Sequence, residues 1–271
     1  MFKRLLLAVA LVALAARADP VPSLWDPSLH LDTPDLAGLK AIRFLTADDY
    51  PPLDFALPDG SLAGFNVEIA RAVCEQLRLP CTIQARRWDT LAEALESAKG
   101  DAMIASMRAT PALRDKLAFS HPYYLTPARF AARRDFPQID IDAAALAGKT
   151  VGIVKDSAHA RFLAQFFAKM TLKPYDDFAA LHAALKAGAI DLAFADGVTL
   201  AIWLDGEDAG GCCGFRGGPF LESRYFGEGV GISVKRGNDL LRLALNWALF
   251  QLWEKGSFTD LWLRYFPISP F

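Results

Sequence analysis

Apolar residues in this chain recur with two alternating spacings, and each spacing names an element. Residues 41–46 (AIRFLT) form a short apolar run of strand type. Pro51-Pro52 and Pro58-Asp59-Gly60 read as turns. From 66 to 77 the apolar positions fall three and four apart, with Ala70, Val73 and Leu77 on one face, which predicts a helix. A strand at 81–84, a helix at 89–98 capped by Asp89 with Leu91 and Leu95 inward, and a strand at 101–105 complete the unit. The alternation then restarts. It gives a strand at 149–154, helices at 157–169 and 178–187, and a strand at 190–195. A glycine-rich loop at 210–218, a strand at 229–234, and helices at 239–255 and 258–265 follow. Strands alternating with helices predict an α/β protein with largely parallel sheets, and the restart predicts two lobes.

The N-terminus adds an address. Lys3 and Arg4 precede an apolar run from 5 to 15, and Ala16-Arg17-Ala18 has the small-residue pattern of a cleavage site. Residues 1–18 therefore read as a cleaved secretory signal, and 19–38, rich in Pro, Asp and Ser, as a surface lead-in segment. With 53% hydrophobic and 22% charged residues, the composition is that of a globular chain. Loss of the signal removes three of the 29 basic residues against 31 acidic ones, and no basic run stands out. That balance argues against a nucleic-acid partner.

Cys74 and Cys81 form a plausible disulfide in an oxidising compartment. Cys212 and Cys213 are adjacent; a vicinal disulfide and a metal site with further ligands both remain open for them. The four histidines are scattered without metal-ligand spacing, and no metal or cofactor is expected. The sequence also lacks G-x-S-x-G, H-E-x-x-H and G-x-x-x-x-G-K-[ST].

Several segments together resemble the periplasmic solute-binding proteins (family 3) of polar amino acid ABC transporters. The similarity is to the branch binding lysine, arginine, ornithine or histidine. The matching pieces are TADDYPP at 46–52, GSLAGFN at 60–66, WDTL at 88–91, SMRATP at 106–111, FSHPYY at 119–124, Val151-Gly152, YFGEG at 225–229 and the closing Tyr265-Phe266. The Cys74 to Cys81 spacing also matches a disulfide typical of that branch. The resemblance implies the type II two-lobe fold with a ligand cleft between lobes joined by two crossing segments. By analogy the crossings lie near Leu125 and Phe226. Lobe 1 would then comprise 39–125 plus 227–271, and lobe 2 would comprise 126–226.

The same resemblance nominates ligand contacts. Tyr50 and Trp88 stand where the family carries aromatic walls, against the alternative of core packing. Ser106 to Pro111, with Thr110 as N-cap and Pro111 in the first helical position, corresponds to the loop that holds the ligand's α-carboxylate. The family arginine of that loop is Leu113 here, and Arg114, one residue on, is rotated about 100° around the helix. Three readings of Arg108 stay open: a relocated guanidinium, a ligand without an α-carboxylate, or a solvated loop residue. Asp196, at a strand's C-terminal end, would accept from the ligand's amine, the alternative being a helix cap. Ser157, in the loop Lys155-Asp-Ser-Ala-His159, would meet the ligand's polar end, whereas His159 reads as a surface residue. Ala47 replaces the acid that the cationic branch uses for the side-chain charge, which argues against lysine or arginine as ligand.

The expected function is therefore a non-enzymatic, monomeric periplasmic receptor. It would bind a small amine-bearing solute, an amino acid being the leading class, and dock on an inner-membrane ABC permease. Two alternatives remain: a cyclohexadienyl dehydratase-like enzyme on the same fold, with Asp196, His159 or Glu228 as general acid, and an accessory or sensor protein.

Overall fold

The computed structural model describes residues 24–26, 28–266 and 268–271. The signal expected over 1–18 lies outside the described residues, as does the start of the lead-in segment. The rest of that segment reaches the core: Trp25 is buried, stacked on His121 at 4.1 Å, with the Phe250 ring edge at 5.5 Å.

The chain begins with β1 (Ile42–Thr46), whose Ile42, Phe44 and Leu45 are buried while Arg43 points out to Asp101. Three short strands follow, β2 (Asp49–Tyr50), β3 (Asp54–Ala56) and β4 (Leu62–Ala63), paired antiparallel. Helix α1 (Phe65–Leu77) then buries Ile69, Ala70, Val73 and Leu77, the stripe its spacing predicts. β5 (Cys81–Ala85) returns to the sheet, and a Cys74–Cys81 disulfide ties it to the end of α1. Asp89 does not cap the next helix: Trp88–Thr90 form a 3₁₀ turn, Asp89 pairs with Arg87 at 2.6 Å, and α2 (Leu91–Glu96) starts later. β6 (Ala102–Met103), the single-turn α3 (Pro111–Arg114) and β7 (Leu117–Phe119) complete this half.

The second unit contains β8 (Ala128–Arg133), β9 (Thr150–Val154), α4 (Ala158–Phe166), β10 (Thr171–Tyr175) and α5 (Phe178–Lys186). It continues with β11 (Leu192–Asp196), α6 (Gly197–Asp205), β12 (Cys213–Phe220) and α7 (Ser223–Phe226). Two expectations are corrected here. The helix beginning at Ser157 stops at Phe166, so the next residues can turn into strand β10. The glycine-rich stretch is β12, not a loop. It pairs antiparallel with β8, its register breaks between Arg216 and Phe220, and Gly217 and Gly218 take positive φ inside the break. Cys212 and Cys213 form a vicinal disulfide at the entrance to β12. The chain then returns as β13 (Ser233–Lys235), α8 (Asp239–Glu254) and α9 (Ser257–Tyr265).

Two five-stranded sheets result, ordered β5-β1-β6-β13-β7 and β10-β9-β11-β8-β12. In each sheet two pairings are parallel and two antiparallel, with a single reversed strand, β13 in the first and β8 in the second, so the sheets are mixed. Separate cores sit on them: Phe65, Trp262 and Phe266 with α1, α8 and α9 on one, and Phe130, Phe162 and Phe194 on the other. The carboxyl ends of parallel strands are where α/β sheets bind ligands. Tyr50, Trp88 and Ser106 follow β1, β5 and β6; Ser157 follows β9, and Asp196 ends β11.

Candidate functional site

An open cavity of about 890 Å³ lies at the ends of β1, β5 and β6. Tyr50, Trp88, Ser106, Arg108 and Thr110 line it, with Asp49, Asp89, Met107 and Leu113. Tyr50 and Trp88 are each 46% exposed, which rules out core packing as their role. Large aromatic faces left open beside a cavity cost solvation that a ligand's aliphatic or cationic part recovers. Partial desolvation of its hydroxyl end, then the Asp196 carboxylate, push the Tyr50 phenol above its ordinary value.

Arg108 and Asp196 meet where the two sheets approach. The Arg108 guanidinium donates to the Thr126 hydroxyl at 2.9 Å and lies 3.5 Å from Asp196 Oδ2. Asp196 is also the N-cap of α6: its Oδ1 accepts the Thr199 amide at 2.9 Å, leaving Oδ2 facing Arg108. Asp196 is thus a helix cap whose second oxygen meets Arg108, and, like Ser157, it is not among the residues that line the cavity. Ser157 caps α4 by accepting from the Ala160 amide at 3.1 Å, and it does not line the cavity. Thr110 caps α3 through the Leu113 amide at 3.3 Å. Arg114 pairs with Glu228 at 2.7 Å, away from the cavity that Leu113 lines.

Sequence reading missed other residues. His159 is half-buried rather than superficial; its ring stacks on Phe226 at 5.2 Å with the Phe194 edge at 5.8 Å. Burial lowers its pKa to about 4, with Asp196 opposing and Arg108 assisting, so the imidazole is neutral beside that pair. Behind Ser106 lies a polar network of Asp54, Asn66 and Tyr123. No single-residue pattern announces it. Its members are 12, 40 and 57 residues apart along the chain. Among the described residues no group of His, Cys, Asp or Glu could hold a metal ion, and no helix is long and apolar enough to cross a membrane.

The model of the bacterial extracellular solute-binding proteins, family 3, matches residues 42–268, nearly all of the chain described above. The chain belongs to that family. This solute-binding protein is 33% identical over 241 residues to an L-arginine-binding protein of Pseudomonas aeruginosa, covering 88% of this chain and 93% of that one. It overlays on the unliganded, open L-cystine solute receptor of Neisseria gonorrhoeae with a TM-score of 0.74 at 21% identity, covering 84% of this chain and 93% of the receptor. An ancestral arginine-binding protein bound to arginine overlays at only 0.54 despite 27% identity, covering 83% and 98%. An ancestral cyclohexadienyl dehydratase overlays at 0.67 with 17% identity, covering 88% and 99%. The fold is the type II two-lobe fold that the motifs implied.

Proposed function

We propose that this chain is the periplasmic receptor of an ABC uptake system, that it captures a free α-amino acid as its zwitterion, and that it is not an enzyme. The observation that carries this reading is the Arg108–Asp196 pair at the cleft. A guanidinium and a carboxylate paired beside a ligand cavity are complementary to a carboxylate and an ammonium on one molecule. The ligand replaces each partner of the pair with its own opposite charge, so neither is left buried and uncompensated. Arg108 then serves as the relocated guanidinium for the arginine that Leu113 lacks.

The side chain of the ligand points toward Tyr50, Trp88 and Asp49. Two aromatic faces and a carboxylate in the cavity lining favour a cation. Ala47 is buried and offers no charge, but Asp49 lines the cavity in its stead, which restores L-arginine as the first ligand to try. The 33% relative with that name supports the choice. The better overlay on an open receptor than on a bound one supports lobe closure on binding. We further place the crossings near Leu125 and Phe226, the lobes at 39–125 plus 227–271 and 126–226, and a cleaved signal at 1–18. The receptor acts as a monomer and docks on an inner-membrane permease.

A thermal-shift screen of the mature protein against amino acids and amines tests this directly. L-arginine or another α-amino acid should raise the melting temperature, while its decarboxylated amine should not. Conversion of prephenate or arogenate to product would overturn the non-enzymatic reading.

A further inference from the structure

Ser106 is held in an unusual way for a ligand-contacting serine. Its backbone has φ 59°, in the left-handed region that non-glycine residues rarely adopt. Strain of that kind persists where neighbouring bonds fix it. The bond that fixes Ser106 comes from Asn66, whose side-chain nitrogen donates to Ser106 Oγ at 2.8 Å. The same nitrogen donates its other hydrogen to Asp54 Oδ2. The Asn66 oxygen accepts from the buried Tyr123 hydroxyl at 2.6 Å. Asn66 is wholly buried, and both of its side-chain donors and its carbonyl oxygen are engaged by these groups.

The orientation of this amide is dictated by Asp54. An ionised carboxylate can only accept, so the Asn66 nitrogen must face it. Ser106 then accepts from Asn66, so its own proton is available to the neighbouring Tyr124 hydroxyl, with which it interacts, or to a ligand in the cavity it lines. If Asp54 carries a proton, the amide can turn over. Its oxygen then faces both Asp54 and Ser106, and the serine proton turns inward to bond it. We propose that Asp54 is a positioning residue of the ligand site: through Asn66 it sets Ser106 as a hydrogen-bond donor toward the ligand. The ligand atom it serves is an anionic oxygen beside the Arg108 guanidinium. The inference rests on the amino-acid reading above and names a control on the same site.

The surroundings of Asp54 suit a group that changes state. It is fully buried, and Oδ1 has no hydrogen-bond partner among the described residues. Asp48 and Asp49 on the β2 side add negative charge, while Asn66 on α1, Tyr50, Tyr123 and Tyr124 bring no cation against it. Burial, with those two carboxylates, raises its pKa to about 6 against the lowering hydrogen bond from Asn66.

The experiment has two arms. In the first, the side-chain amide resonances of Asn66 are followed by ¹⁵N NMR in the ligand-free wild type from pH 4.5 to 8. A single titration centred near pH 6, absent in Asp54→Asn, is expected; an Asn66 amide that does not respond overturns the relay. In the second, the Kd for L-arginine is measured by calorimetry over the same range. Affinity of the wild type should fall at least 5-fold from pH 7.5 to 5, and Asp54→Asn should bind weakly with a flat profile. A variant with the wild-type slope and affinity overturns the proposal. If no amino acid binds but the amide titrates, the receptor reading fails and the relay stands. If Asp54→Asn fails to fold, the wild-type titration of the first arm still tests the relay, since an Asn66 amide that does not respond overturns it.

Discussion

The two sides of the cleft are built differently. On the first lobe the contact residues stand on a buried polar network. Ser106 is braced by Asn66, Asp54 and Tyr123, and Tyr50 and Trp88 hold their faces open beside a cavity that already exists. On the second lobe the polar residues are helix caps. Asp196 opens α6 and Ser157 opens α4, over a cluster of Phe130, Phe162, Phe194 and Phe226. A preformed surface can dock a ligand before the lobes move, whereas caps at strand ends are carried in as a rigid body when they close. On the proposed reading the contrast predicts an order in which the first lobe captures and the second locks.

The largest expected effect lies at the lock. Asp196→Ala removes the proposed acceptor for the amine, takes the carboxylate from Arg108 and deletes a helix cap. Binding should weaken at least 100-fold, and stability should fall by about 1 kcal/mol from the cap alone. Calorimetry and chemical denaturation measure the two separately. A loss of stability without loss of affinity would make Asp196 only a cap and erase the contrast.

On the capture side, Trp88→Ala should weaken binding roughly 10-fold with little change in melting temperature, because the ring is half exposed and supports no core. A large stability loss would contradict that assignment. Removal of the Cys74–Cys81 link by Cys74→Ser should cost about 2 kcal/mol, the scale for a loop this short. It should leave affinity unchanged, since the bond ties α1 to β5 behind the cavity.

Acid should separate the lobes. Burial lowers His159 and His182, both on the second lobe, to about 4, against an ordinary value of 6.5. Their neutral forms contribute stability that is complete above pH 6.5 and is lost as pH falls toward 4. Asp54, on the first lobe, runs the opposite way: raised from 3.8 to about 6, it costs stability above pH 6 and returns it as pH falls. Hydrogen exchange at pH 5 against pH 7 should therefore show loosened amides around α4 and α5 and steady ones around α1. His182→Phe, which keeps the stack on Trp203 at 4.4 Å, should reduce the loss by about 1 kcal/mol or less. Equal loosening of both lobes would contradict the account.

Much of the fold was legible because strong periodicity survives in the long elements. The spacing of 66–77 marked α1 to within one residue, and 239–255 did the same for α8. What escaped was strand built from unlikely residues. β8 is rich in alanine and arginine, and Arg129 is buried there with its guanidinium over the Phe215 ring at 4.4 Å. β12 carries glycines that its register break requires, and glycine reads as loop until the partner strand is known. At the site, the aromatics after strands and the aspartate at a strand end were nominated by the family resemblance, and the local pattern alone would have left them as core or cap. The brace behind Ser106 was not readable, because a hydrogen bond between Asn66 and Tyr123 is a fact of packing and leaves no local spacing to detect.

The most direct measurement is calorimetric titration of the mature protein at pH 7.5 with L-arginine and with agmatine, the same molecule lacking the carboxylate, in wild type and Arg108→Ala. The account predicts one-to-one binding of L-arginine, at least 100-fold weaker binding of agmatine, and a variant that no longer distinguishes the two. Equal affinity for both ligands in the wild type, or an Arg108→Ala protein that keeps its preference for L-arginine, would contradict the assignment of Arg108 and Asp196 as the two poles of a zwitterion site.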